Sequence, residues 1–106
     1  MKRSYLIGLI VVALCAASAA HAEGDKAKGR ELVYTCHGCH GIPGYANAYP
    51  DYHVPHIAGQ NEQYLVNALK SYKSGERKHP TMDAQAQSLS DQDIADIAAY
   101  LSSLAK

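Results

Sequence analysis

The chain has 106 residues, three cysteines, no tryptophan or phenylalanine, and ten Lys or Arg against ten Asp or Glu. That length accommodates one domain. The charges of both signs are interspersed, which excludes a disordered tail, a nucleic-acid arm and any electrostatic grip on a phosphate backbone.

Met1, Lys2 and Arg3 form a basic start, and Leu6 to Ala20 is apolar apart from Gly8 and Ser18. The run closes on Ala20-His21-Ala22, a small-x-small pattern. Residues 1–22 therefore read as a secretory signal peptide cut after Ala22. A membrane anchor needs roughly 20 apolar residues, more than this run supplies, so no integral membrane segment is expected in the mature chain. Lipid attachment at Cys15 is disfavoured by the bulky Leu14 before it. Cleavage leaves 84 residues, 23–106, with eight basic and ten acidic side chains and a formal charge of −2. Cys36 and Cys39 become its only cysteines and Met82 its only methionine. So small a chain usually needs a staple. A disulfide between thiols three positions apart closes too small a loop to serve.

Three helices are predicted in the mature chain. The first covers about Asp25 to Thr35, with Asp25 as cap and Gly29, Leu32, Val33 and Cys36 on one face. A long irregular segment follows from Gly41 to Gln60, punctuated by Pro43, Gly44, Pro50, Pro55 and Gly59. Ordered segments of that length tend to be functional. The second helix covers about Asn61 to Ser74, capped by Asn61 and stopped by Gly75, with Tyr64, Leu65, Ala68, Leu69 and Tyr72 on one side. Glu76 to Leu89 reads as a second connection. The third helix opens with a Ser90/Asp93 capping box, and Ile94, Ile97, Ala98, Leu101 and Ala105 form its apolar face. No stretch alternates long enough for a strand, so the fold class is all-α.

Cys36-His37-Gly38-Cys39-His40 is C-x-x-C-H, the attachment pattern of a c-type haem. Two thiols at this spacing add across the two vinyl groups of the macrocycle, and the next residue, His40, supplies an imidazole to the iron. The bound disc also answers the size problem by becoming the centre of the core. Three other readings compete. A thioredoxin-like redox pair needs a βαβ framework that the pattern lacks. A zinc site from Cys36, Cys39, His53 and His56 has only two residues between its histidines, where fingers want three to five. A structural disulfide ignores His40. Candidates for the sixth iron ligand are Met82, His53, His56 and His79. Met82 lies beside Pro80 outside the helical stripes, and its soft thioether favours ferrous iron, so it leads. The competing role for a lone methionine is core filler.

These residues together resemble short bacterial class I monohaem c-type cytochromes. The likeness rests on the haem motif with Gly41, the Pro55-His56-Ile57-Ala58-Gly59-Gln60 segment, the Tyr64-Leu65 to Arg77 run, Met82 and the closing helix around Asp93 to Leu101. It implies a class I cytochrome c fold, with three or more helices around one haem. It also implies a first and last helix crossing at Gly29 against Ile97 or Tyr100, and iron ligation by His40 and Met82. It further implies a proline carbonyl, most naturally that of Pro55 and less so that of Pro43, fixing the imidazole. Its members are mostly soluble periplasmic carriers, not enzymes. The segment Gly44 to His53 departs from the pattern in its tyrosine content.

The expected function is single-electron transfer by haem c between redox partner proteins in the periplasm. Lys70, Lys73, Arg77 and Lys78 form a basic cluster suited either to an acidic partner or simply to a solvated helix end. A dedicated subunit of a periplasmic dehydrogenase or oxidase complex is the alternative, with the tyrosine-rich stretch from Tyr45 to Tyr52 as its contact surface. A haem enzyme or gas sensor would need an open sixth position, and no acid–base pair near the motif argues for one.

Overall fold

The computed structural model describes residues 23–42 and 54–105. The expected signal peptide at residues 1–22, Pro43, the tyrosine-rich stretch and His53 lie outside the described residues. Among the described residues five α-helices succeed one another: α1 (Lys26–Leu32), α2 (His37–His40), α3 (Glu62–Ser74), α4 (Pro80–Gln87) and α5 (Asp91–Ser103). Among the described residues there is no strand, and no helix is long and apolar enough to cross a membrane.

Local chemistry sets most of the boundaries. The Asp25 carboxylate accepts from the Ala27 and Lys28 amides and starts α1. The predicted first helix does not run on unchanged to Thr35. After Leu32 it tightens into a 3-10 turn, Val33–Thr35, and Cys36 then separates that turn from α2. Asn61 caps α3 through the Tyr64 amide, and Gly75, at φ 84°, ends it in the left-handed region that glycine enters without a Cβ clash. The Ser90/Asp93 capping box opens α5.

Helix α4 was not expected; its span reads in sequence as part of a loop. The helix has Pro80 in its first turn, where a missing N–H costs nothing, and His79 caps it by accepting from the Met82 amide. Only Ala86 of its eight residues is buried, so no apolar period marks it.

The core is the crossing of α1 on α5, with α3 against the other side of α5 and α4 against α3. Val33, Ile42, Leu65, Ile97, Ala98 and Leu101 form its buried centre. Gly29 makes the crossing possible. A Cβ there would collide with the Asp96 carbonyl and stand 2.8 Å from Tyr100 Cβ. The partner is therefore Asp96 together with Tyr100, with Ile97 absent from the nearest atoms. The Asp96 carboxylate is itself buried, accepting from the Asp25 amide at 2.8 Å and from Gln92 Nε2 at 2.8 Å. It pins the start of α1 to α5. The Gly59 amide donates to the Leu101 carbonyl at 2.8 Å and ties the segment after Pro55 to the same helix.

Candidate functional site

A pocket open on one side lies between these elements. Cys36, Cys39, His40, Pro55 and Met82 all line it, and Leu32, Ile57, Leu65, Leu69, Ile97 and Leu101 supply much of its apolar wall. Residues 46 positions apart in Cys36 and Met82 thus share one cavity.

One wall is built by the short run from Val33 to Ile42. The 3-10 turn and α2 bring both thiols and the His40 imidazole to the same side of the chain. His40 is buried. Its Nδ1 lies 2.8 Å from the Pro55 carbonyl oxygen. A carbonyl can only accept, so Nδ1 carries a hydrogen, and in the neutral ring that tautomer leaves the lone pair on Nε2. This orientation presents the nitrogen a metal would need and makes it a better donor.

The thiols are free and half-buried. Burial pushes the Cys36 thiol above its ordinary pKa; a Thr35 hydrogen bond opposes this, and the nearness of Cys39 adds to it. The disulfide oxidoreductases need the reverse, a depressed thiolate. With no strand among the described residues, a thioredoxin-like reading loses both its framework and its chemistry. No group of three or more His, Cys, Asp or Glu among the described residues is placed to hold a metal ion, so Cys36, Cys39 and His56 do not assemble as a zinc site. His53 lies outside the described residues.

A second wall comes from α3 and α4. Of the described candidates for a second axial ligand, Met82 alone lines the pocket. His56 and His79 are exposed, and His79 is occupied as the cap of α4, 3.4 Å from the Met82 amide. Met82 stands in the first turn of a helix, not on a loop. The basic cluster divides by role. Lys73 donates to the Leu89 carbonyl, Lys70 and Lys78 are exposed away from the pocket lining, and Arg77 joins that lining.

The donor set fits a covalently held haem: two free thiols at attachment spacing, a buried oriented imidazole, a thioether in the same cavity and an apolar enclosure between them. Among known proteins, the family model described as cytochrome c matches residues 26–105. The chain is 47% identical over 83 residues to cytochrome c-554(548) of Halomonas halodenitrificans, covering 76% of this chain and 96% of that protein. It is 44% identical over 84 residues to cytochrome c4 of Pseudomonas aeruginosa, covering 79% of this chain and 40% of the relative. It is 31% identical over 81 residues to the cytochrome subunit of sulfide dehydrogenase of Chlorobaculum tepidum, covering 76% and 70%. It thus spans nearly the whole of the first relative and about two-fifths of the second.

Proposed function

Since the chain belongs to the cytochrome c family, with its class I fold and covalently bound haem c that transfers electrons, we propose that Cys36 and Cys39 are the attachment points and that His40 and Met82 are the axial ligands. When bound, the haem supplies an iron that accepts and returns one electron. The chain's own residues do the rest. The Pro55 carbonyl holds the His40 ring so that Nε2 faces the cavity. Ile57, Leu65, Leu69, Ile97 and Leu101 keep water from the enclosed side and lower the local dielectric. A thioether opposite an imidazole raises the reduction potential relative to two imidazoles. With His40 and Met82 both holding the iron, no position would be left open for a substrate, which suits a carrier rather than a catalyst.

The observation that carries this reading is the shared cavity of His40 and Met82, residues from opposite halves of the mature chain. The ferric protein is expected to show the long-wavelength band of sulfur–iron ligation, and Met82→Ala to abolish it. A wild type without the band would refute the ligand assignment. Cys36→Ser is expected to leave a single thioether, read by the shift of the pyridine haemochrome band that follows when one vinyl group stays free.

Residues 1–22 act as a leader, and the mature chain works in the periplasm as a carrier between redox proteins. Support comes from the basic start, the apolar run and the Ala20-His21-Ala22 pattern. An N-terminal sequence of the exported protein beginning at Glu23 is the expected result. A second reading, a subunit of a dehydrogenase complex, is favoured by the similarity to the sulfide dehydrogenase cytochrome subunit. Gentle extraction separates the two, since a free carrier elutes alone and a subunit elutes with its enzyme.

A further inference from the structure

We propose that His79 and Asp83 are positioning residues for Met82, together fixing the first turn of α4 so that the thioether stays in the cavity. This rests on the reading of Met82 as an axial ligand. Neither side chain lines the pocket, so both act through the helix and not on the iron.

Helices α4 and α5 start differently. In a capping box the N-cap side chain accepts from the amide three residues on, and an acidic or amide side chain at that third position accepts from the N-cap amide. Ser90 and Asp93 do this at the head of α5. At the head of α4 the third position is Met82 itself, whose amide donates to His79 Nδ1 at 3.4 Å. A thioether is only a weak acceptor and does not return the bond as a carboxylate does. The return passes to the next residue. The Asp83 carboxylate accepts from the His79 amide at 3.3 Å, and the Asp83 amide donates to the His79 carbonyl at 2.8 Å. The box is displaced by one residue, and the Met82 side chain is left out of it to line the cavity.

Pro80 completes the arrangement. It favours an extended residue before it, and His79 stands at φ −157° and ψ 113°. Substituting His79 therefore removes a side chain without redirecting the backbone. Little else fixes this turn. Ala86, the buried residue of α4, lies one turn beyond Met82, and the ties from Lys73 and Gln87 act at the far end of the helix.

The test is a titration of the ferric haem protein with imidazole at constant pH, followed by loss of the sulfur–iron band. The proteins are wild type, His79→Ala, His79→Asn, Asp83→Ala and the double variant His79→Ala with Asp83→Ala. Asp91→Ala, which removes a first-turn carboxylate from α5, is the control. Imidazole binds the iron only once the sulfur has left, so its midpoint reports how readily the first turn of α4 lets go. His79→Ala and Asp83→Ala are each expected to lower the midpoint about threefold, the low end of what a lost cap costs. His79→Asn is expected to match or exceed wild type, because asparagine ranks among the best caps. The double variant is expected to fall short of the product of the two single effects, since the arms close one box. Asp91→Ala is expected to leave the midpoint unmoved. Midpoints unchanged in both single Ala variants would overturn the proposal, even where overall stability falls, because the pair would then be a cap and nothing more. So would a drop that Asp91→Ala reproduces or that His79→Asn shares. A wild type without the band would refute the ligand assignment and this proposal with it, whereas a wild type with the band and unmoved midpoints refutes this proposal alone.

Discussion

The two walls of the pocket are held by different means. The histidine wall is locked. His40 is buried, hydrogen-bonded to the Pro55 carbonyl, and carried on a segment whose Val33 and Ile42 are fully enclosed. Behind it, α1 lies directly on α5 at Gly29. The methionine wall is a short helix laid on the surface of α3, with Ala86 as its buried residue. Its ties are polar: Gln87 Nε2 donates to the Lys73 carbonyl at 2.9 Å, and the Lys73 ammonium donates to the Leu89 carbonyl. Burial of apolar surface scales with area, while a partly exposed hydrogen bond contributes only about 1 kcal/mol. The histidine side is thus the structural anchor, and the methionine side is the one that can loosen without unfolding the chain.

The strongest way to break the first wall is Gly29→Val. The new Cβ meets backbone, which cannot swing aside, so a loss of about 3 kcal/mol or more is expected in chemical denaturation. Met82→Ala is expected to act on the second wall alone. The sulfur–iron band and the high potential go, while the helical circular dichroism stays close to wild type. Gln87→Ala removes one tie of α4 and is expected to cost about 1 kcal/mol or less. Its clearer signature is displacement of the Met82 sulfur by added imidazole at lower concentration than in wild type. The smallest effect concerns the cap that starts α5. Hydrogen bonding to Ser90, its backbone amide foremost, holds the Asp93 carboxyl below its ordinary pKa. A lowered folded pKa gives stability that is full above the unfolded value and fades as pH falls through the folded one. The melting temperature is expected to drop between about pH 5 and below about 3.9, and Asp93→Asn to flatten that slope. Ser90→Ala is expected to cost about 0.5 kcal/mol at neutral pH.

Helix α4 shows where sequence reading stops. Its eight residues, Pro80 to Gln87, carry no apolar stripe because the helix buries almost nothing. Its clues were Pro80 in the first turn and His79 in the cap position, and histidine is a weak signal for a cap. Asp96 was equally invisible. Nothing in its neighbours tells that a carboxylate at the edge of an apolar face receives the Asp25 amide from 71 residues away. Arg77 read as one of four cations on a helix end, and only the turn after Gly75 distinguishes it.

What the amino-acid order decides alone is whatever neighbours a few positions apart can encode. The haem motif, the Asp25, Asn61 and Ser90 caps, the Gly75 stop and the apolar stripes of α3 and α5 belong to that class. Each is a short-range hydrogen bond or a 3.6-residue period, so it survives without knowledge of the rest of the chain. What the tertiary structure decides is which distant groups meet. His40 with the Pro55 carbonyl, Gly29 with Asp96 and Tyr100, and His40 with Met82 in one cavity all depend on how α1 and α3 pack on α5 and α4 packs on α3. Such pairings are chosen by the free energy of closing the whole core, which no local pattern contains.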